Sequence, residues 1–589
     1  MTLAAPRTDE AAPPTPPPIV TATASAAPDA PHDLPWLVLT IVALALLASV
    51  TSLGNGFAYD DRWIILDNKR VHDLHDAWRF FGETYWPNYR GAALYRPLTI
   101  FVYAVEWAMG AGSPALYHAV NVGLYAIVSV LVLLLSLECL PRRAAWVAAA
   151  LFAVHPVHVE AVGNVVGQAE LWTALIVIGA VVLYLRGRRD GVPLPRETAF
   201  VITGLYIIGM LVKENAIVLP AMLVAAEGLI VRDEAPWRER ADRLFTLLAW
   251  MGLFAALFLL LRVSLLDGIG GDTPHPALNN RTMGERTLIM IGIAPEFGRL
   301  FLWPAKLYSD YSPQAVHVHS TWSIEHIPGL LLLFCLSILL VVCHQRARAA
   351  AFGLWWLVIT IAPVANILIP TGILLAERTL LLPSAGVMIA IASAVPWIEA
   401  TPAWRRHDVR FASGALLALL LTLGFSRSAD RQYTWKDNAT VFRTLTNDAP
   451  LNFKAHYTAG GEYFEKKRFV EGEREWRMAL ALYPQYAGVW VDLAHKYREA
   501  HICQAAIPTY LTAFKYDPDI PLARAGLVAC YLELGQWHNA RTAGRIAIAD
   551  GFYRRAFDYM IERADSALVA NDSLDPTIRW TGKSRFKKP

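Results

Sequence analysis

The run Trp36-Leu-Val-Leu-Thr-Ile-Val-Ala-Leu-Ala-Leu-Leu-Ala-Ser-Val-Thr-Ser-Leu53, followed at once by Gly54-Asn-Gly-Phe-Ala-Tyr-Asp60-Asp61, decides the class of fold. Its eighteen uncharged residues are close to the ~20 that one helical crossing of a hydrocarbon core needs at 1.5 Å of rise per residue. Two adjacent carboxylates then stand at the far mouth of that crossing. Upstream, residues 1–35 carry nine prolines and one basic residue, Arg7. This composition predicts a disordered leader, and the missing positive n-region argues against a signal peptide.

Downstream, apolar runs recur at about 116–138, 144–158, 168–186, 199–212, 216–231, 244–266, 325–343, 351–369, 380–397 and 411–427, giving eleven expected spans. The stretches 97–110 and 287–303 are broken by charge or proline and are expected to lie as amphipathic helices at the membrane surface. Of the 589 residues, 55% are hydrophobic and 17% charged, against about 25% charged in an ordinary soluble domain. The charges crowd into the region after Arg427. A net charge of +3 is too small to argue for nucleic acid. The five cysteines show no CxxC and no metal-ligand spacing, so neither a zinc site nor a disulfide scaffold is expected.

Arginines mark one set of loops: Arg142/Arg143, Arg186/Arg188/Arg189/Arg196, Arg232/Arg238/Arg240/Arg243, Arg346/Arg348 and Arg405/Arg406/Arg410. The positive-inside rule puts these loops and the N-terminus in the cytoplasm. An odd number of spans then puts the region after Arg427 outside, in the periplasm or a lumen, with the inner membrane of a bacterium as the expected location.

After Asp448 the sequence repeats. Tyr463, Tyr497 and Tyr531 are spaced by 34, as are Ala479, Ala513 and Ala547, and Pro484 and Pro518 keep step. This is the tetratricopeptide (TPR) pattern, two antiparallel helices per repeat. The expected organisation is all-α: a leader over 1–35, a polytopic helical bundle over 36–427, a connector over 428–452, a TPR solenoid of about three repeats plus a capping helix over 453–570, and a basic tail over 571–589. Cys503 and Cys530 fall in adjacent repeats. A bridge is possible in an oxidising compartment, but their different repeat positions favour two packed thiols.

The loops opposite the arginines hold the candidate chemistry. Asp60-Asp61 would repel each other near the bilayer, raising one pKa toward the range of a general base; an isolated pair would otherwise be a solvated loop cap. His155-Pro156-Val157-His158-Val159-Glu160 could polarise a substrate or bind a metal, or serve as polar partners for a proline-broken helix end. The spacing fits no standard ligand motif, so no metal and no cofactor are expected. Lys213-Glu214-Asn215 interrupts two apolar runs; such charges face a cavity with a partner or pair with each other. Glu377-Arg378 and Arg96 suit a lipid phosphate, since guanidinium contacts phosphate oxygens bidentately, and equally suit interfacial anchoring. In Glu377-Arg378 the glutamate is expected to fix the arginine.

The order of these motifs resembles the transmembrane-and-TPR-containing O-mannosyltransferases and their bacterial relatives among the GT-C glycosyltransferases. The resemblance rests on Asn55-Gly-Phe-Ala-Tyr-Asp-Asp61, Tyr95-Arg-Pro-Leu98, His155 to Glu160, Lys213-Glu-Asn215, Asp310-Tyr-Ser312, Glu377-Arg378 with Leu382-Pro-Ser384, and then the repeats. It implies a GT-C bundle that transfers a sugar from a polyprenyl-phosphate donor on the outer face. Asp60 or Asp61 would be the base, with the step further from the first span favouring Asp61. Arg378, Lys213 and Arg96 would hold the donor phosphate, and Glu214, His155, His158, Glu160 and Glu377 would support them. The acceptor would be a hydroxyl, Ser or Thr of an exported protein, held by the repeats. Gln168-Ala169-Glu170 stands where the family pattern is more basic, and Thr379 and Leu381 replace aromatics, so the donor sugar stays open. A membrane-anchored TPR scaffold and a lipid-linked sugar transporter are the competing readings. Eleven spans with internal charges exceed what an anchor needs, and charges confined to one face fit a transporter poorly.

Orientation is testable directly. Alkaline phosphatase fused after Pro589 is expected to be active and GFP fused there dark; the reverse pattern overturns the orientation.

Overall fold

The computed structural model describes residues 33–86, 94–266, 275, 277–313, 315–316, 318–518, 520–549 and 554–570. The expected leader up to residue 32 and the basic tail over 571–589 lie outside the described residues. Among those described, the chain is helical, with one isolated bridge, Pro313 to Val316, and no strand. The first part runs through α1 (Leu34–Ser49), α2 (Pro97–Gly110), α3 (Pro114–Cys139), α4 (Arg142–Ala153), α5 (Val159–Gly163), α6 (Gln168–Gly187), α7 (Arg196–Val212), α8 (Leu219–Leu229), α9 (Trp237–Leu266), α10 (Met283–Leu302), α11 (Ile327–Arg346), α12 (Arg348–Ile361), α13 (Leu381–Ala392), α14 (Val395–Glu399) and α15 (His407–Gln432). The second comprises α16 (Asn438–Asp448), α17 (Phe453–Glu465), α18 (Phe469–Leu482), α19 (Ala487–Glu499), α20 (Cys503–Tyr516), α21 (Pro521–Glu533), α22 (Trp537–Ala549) and α23 (Arg554–Ala570).

The protein is a multi-pass membrane protein. Seven described helices are long and apolar enough to cross a bilayer, or eight if the pair Arg142–Ala153 and Pro156–Gly163, bent by 48°, counts as one. The remaining three of the eleven expected spans fold as shorter helices. α7 has 17 residues, α8 has 11 and α12 has 14, below the ~20 of a straight crossing. Lys213-Glu214-Asn215 is what ends α7, and a short 3-10 turn, Glu214–Val218, leads into α8. The stretches expected at the surface fold as α2 and α10.

Ion pairs gather several of the arginine-rich loops at one end of the bundle. Arg188 meets Glu227 at 2.7 Å and Asp233 at 2.8 Å, and Arg240 meets the same Glu227 at 2.9 Å. Arg189 reaches Glu138 at 2.9 Å, and Arg143 reaches Glu399 at 3.3 Å. α7 starts at this end and finishes at Lys213, and the chain returns along α8 to Glu227. Large apolar side chains on α9, α11 and α15, among them Leu260, Phe334 and Leu416, are exposed, as lipid-facing positions are. α12 and α13 touch through glycine: a Cβ on Gly353 would lie 2.4 Å from the Gly386 carbonyl oxygen, and one on Gly386 2.3 Å from that of Gly353. This close crossing fixes α13, whose leading turn carries Arg378.

Beyond α16 the helices form three consecutive hairpins and a final helix. Their first helices begin at 453, 487 and 521 and their second at 469, 503 and 537. Ala479, Ala513 and Ala547 are fully buried where the helices cross. Cys503 and Cys530 are bonded, with Cα atoms 5.2 Å apart, which corrects the expectation of two packed thiols. Antiparallel packing of α20 on α21 brings the start of one helix to the end of the other, so unlike repeat positions meet. In the denatured, unreduced protein, Cys139, Cys335 and Cys343 are expected to react with a thiol label and Cys503 and Cys530 to be silent. Cys530→Ala should cost ~2–4 kcal/mol of the hairpin region's stability, read by chemical denaturation.

Candidate active site

The loop bearing the aspartate pair is tied to the end of the last long apolar helix and the segment that follows it. Asn55 Nδ2 donates to the Gln432 carbonyl at 2.9 Å, Gly56 N to the Lys436 carbonyl at 2.8 Å, and Tyr59 N to Asn438 Oδ1 at 2.6 Å. Tyr59 is held at φ +56°, a region that costs a non-glycine residue free energy and is found where the surroundings enforce it. The two aspartates that follow have different surroundings. Asp61 is fully buried: its Oδ2 accepts from Ala58 N at 3.1 Å and Val165 N at 3.2 Å, and its Oδ1 from Val166 N at 2.8 Å. Burial pushes its carboxyl up to about 7, against the pull of those three N–H groups toward the charged form. Asp60 keeps 23% of its side chain exposed and lies 3.8 Å from Arg378 Nη2. Burial raises its pKa too, opposed by Arg378 and Lys454. Asp61 therefore fastens the loop to the turn before α6, and Asp60 is the carboxylate that keeps some exposure, contrary to the preference for Asp61.

Arg378 is held from across the bundle. Its backbone N–H donates to Glu160 Oε2 at 2.9 Å and its Nη1 to Glu160 Oε1 at 2.6 Å. The expected fixing by Glu377 does not occur, because adjacent residues of the 3-10 turn Glu377–Leu380 diverge. Glu377 is buried and accepts instead from Tyr308 N and the Tyr311 hydroxyl, each at 2.7 Å. Glu160 reaches Arg378 because Pro156 breaks the helix before it, and the two histidines pin the break. His155 Nε2 contacts the Phe301 carbonyl at 3.1 Å, while His158 contacts the Tyr125 hydroxyl at 2.9 Å and Ser384 Oγ at 2.8 Å. Both histidines are buried fasteners. Among the described residues, no group of three or more His, Cys, Asp or Glu side chains is arranged to hold a metal.

The self-paired Lys213–Glu214 turn does not form either. Lys213 pairs with Glu170 from α6. Glu214 takes Arg96 bidentately, at 3.0 Å from Nε and 2.6 Å from Nη2, with Arg262 of α9 at 3.9 Å. Against burial, which favours the neutral acid, Arg96 and Arg262 hold the Glu214 carboxyl well below its usual range. Arg96 also lies over the Tyr85 ring, 5.3 Å from its centre. Sequence reasoning gave no role to Glu170, Arg262 or Lys454, and placed Asp310 only within a motif. Arg262 carried a readable signal, a lone charge inside an apolar helix. Lys454 carried none.

The result is one end of the bundle where a partly exposed carboxylate faces a guanidinium, with two further ion pairs alongside. Such a set can take a proton from a neutral nucleophile and compensate an anionic leaving group. Arg378→Ala strands the buried Glu160 and is expected to destabilise the protein by ~3–5 kcal/mol, with Arg378→Lys recovering part. Asp61→Asn should lower the thermal midpoint, whereas Asp60→Asn should leave it unchanged; thermal unfolding in one detergent compares all four.

No protein-family model matches the chain. It is 23% identical over 555 residues to "Protein O-mannosyl-transferase TMTC3" of Mus musculus, covering 88% of this chain and 60% of the relative. It is 25% identical over 459 residues to "Protein O-mannosyl-transferase F38B6.6" of Caenorhabditis elegans, covering 76% and 63%. It is 27% identical over 499 residues to "Protein O-mannosyl-transferase TMTC4" of Mus musculus, covering 73% and 64%. The chain thus spans about 60% of the length of the curated relatives it matches. Among solved structures it is similar to the archaeal oligosaccharyltransferase AglB from Archaeoglobus fulgidus, with a TM-score of 0.39 and 13% identity over 69% of this chain and 57% of that one, a superposition too weak to bear on fold or chemistry. Over most of its length, then, the homologues of this chain are protein O-mannosyl-transferases.

Proposed function

We propose that this protein is a membrane glycosyltransferase that moves a sugar from a polyprenyl-phosphate donor to a hydroxyl, Ser or Thr of an exported protein, on the face of the membrane opposite the arginine-rich loops. The observation that carries the reading is the placement of Asp60, partly exposed, 3.8 Å from an Arg378 already held by Glu160. The names of the relatives support the reaction class, and the mannose in those names is theirs; the sugar used here is left to experiment.

In the proposed step Asp60 removes the acceptor hydroxyl proton. The oxygen attacks the anomeric carbon, the bond from that carbon to the phosphate oxygen breaks, and its electron pair leaves on the phosphate with inversion at the sugar. Arg378 answers the charge that develops there, since a guanidinium fork matches phosphate oxygens. Arg96 and Lys213, each already paired with a glutamate, add positive potential nearby. The hairpins over 453–570, read as TPR units, would hold the acceptor chain in their groove. The arginine-rich end would be cytoplasmic, and in a bacterium the membrane would be the inner one. The buried ion pairs at the opposite end speak against a mere scaffold, because an anchor has no use for their desolvation.

The test is transfer from a radiolabelled polyprenyl-phosphate sugar to a Ser/Thr peptide by the purified protein. Asp60→Asn is expected to lose ~10²–10⁴ in rate with donor binding retained; a normal rate overturns the reading. A base must be charged to act, so the rate falls as acid protonates Asp60. Burial raises that pKa, so the acid limb should lie above 3.8, the ordinary carboxyl value.

A further inference from the structure

The segments beside the two residues central to the proposed reaction are each braced by residues that follow the last long apolar helix. On one side Asn438 receives the N–H of Tyr59, the residue before Asp60. On the other, the N-terminus of α17 grips the loop after α10. Lys454 Nζ bonds Asp310 Oδ2 at 2.9 Å. Asn452, fully buried, donates from Nδ2 to the Asp310 carbonyl at 2.9 Å and to Asp310 Oδ1 at 3.3 Å. Asp310 Oδ1 also accepts from Ser312 N at 2.9 Å. Two residues away in that loop, Tyr308 N, together with the neighbouring Tyr311 hydroxyl, holds Glu377, and Glu377 precedes Arg378. A chain of contacts thus runs from the first hairpin to Glu377, the residue before Arg378.

Lys454 differs from a simple clamp in one respect. Asp310 keeps 12% of its side chain exposed, but Lys454 keeps 35%, and an ammonium has three donors. Its charge is felt at Asp60 and Tyr59. The groups facing Asp60 are the cations Arg378, Lys454 and Arg96, and the acids Asp310, Glu160, Asp61, Tyr59 and Tyr85.

We propose that Lys454 is a positioning residue of the transfer site, and that the site is complete only when the first hairpin is seated on the Asp310 loop. This rests on the glycosyltransferase reading. Lys454 does two things: it sets the loop that supports Glu377 and Arg378, and it stabilises Asp60 in its charged form.

The experiment uses the full chain in nanodiscs, with Lys454→Met, Lys454→Arg, Asp310→Asn and the double variant Lys454→Met/Asp310→Asn. Lys454→Met is expected to lower kcat/KM about tenfold, and to move the acid limb of the rate to higher pH, because a cation favouring charged Asp60 is gone. Lys454→Arg should restore both. The double variant should lose no more than the worse single one, as for two residues sharing one interaction. A normal rate and acid limb in Lys454→Met overturn the inference, as does failure of Lys454→Arg to restore them. If the unaltered protein transfers no sugar, the glycosyltransferase reading fails, and polyprenyl-phosphate affinity then decides about Lys454. A tenfold weaker affinity in Lys454→Met supports its positioning role, and an unchanged affinity, or none in any form, overturns it.

Discussion

A carboxylate and a guanidinium taken out of water together must answer each other almost completely, and the Glu160–Arg378 pair is where this protein meets that demand. Glu160 is nearly inaccessible, and it takes both a side-chain and a backbone donor from the same residue. Desolvation makes a pair of this kind expensive unless its geometry is good and its remaining lone pairs are bonded. Much of the local structure supplies that geometry. Pro156 breaks the helix, His155 and His158 fix the break, and the glycine contact between α12 and α13 sets where the arginine's own turn begins. An arginine held on one side by Glu160 cannot swing away, and its Nη2 edge is left toward Asp60.

The pattern at the opposite end of the bundle is different in kind. There Glu227 is shared by Arg188 and Arg240 and also accepts the Tyr184 hydroxyl at 2.6 Å. The acid has three donors and no open side. Such saturation suits a structural lock that keeps α6, α8 and α9 in register. At the other end Asp60 keeps 23% of its side chain exposed, with the Arg378 guanidinium 3.8 Å away. Unequal saturation of similar residues is what separates scaffold from site here.

Most helices were legible in the sequence because apolar length and a 34-residue period are local properties. Helix lengths were less so: α7, α8 and α12 are shorter than a straight crossing and packed among longer neighbours. The site was half legible. Asp60-Asp61 and Arg378 could be picked out as charges beside apolar runs. Their division of labour could not, because it depends on the N–H groups of Val165 and Val166 and on Glu160, more than a hundred residues away in each case. Adjacency misled twice: Glu377 and Glu214 look like partners of Arg378 and Lys213, but neighbours on a short turn point apart. The disulfide was hidden by the same logic, since unlike repeat positions meet only in antiparallel packing.

The bonds from Asn55, Gly56 and Tyr59 to residues 432–438 have a consequence for biosynthesis. Thr51 is likewise bonded to Ala429, 378 residues later in the chain. At about 5–20 residues per second, a ribosome needs roughly 20–75 s to make that intervening length. Through that interval the Asp60 loop lacks the strut that enforces the Tyr59 backbone. The Asp60 loop of the nascent bundle is therefore unbraced while it inserts, and its backbone is set only when the last long apolar helix closes beside the first.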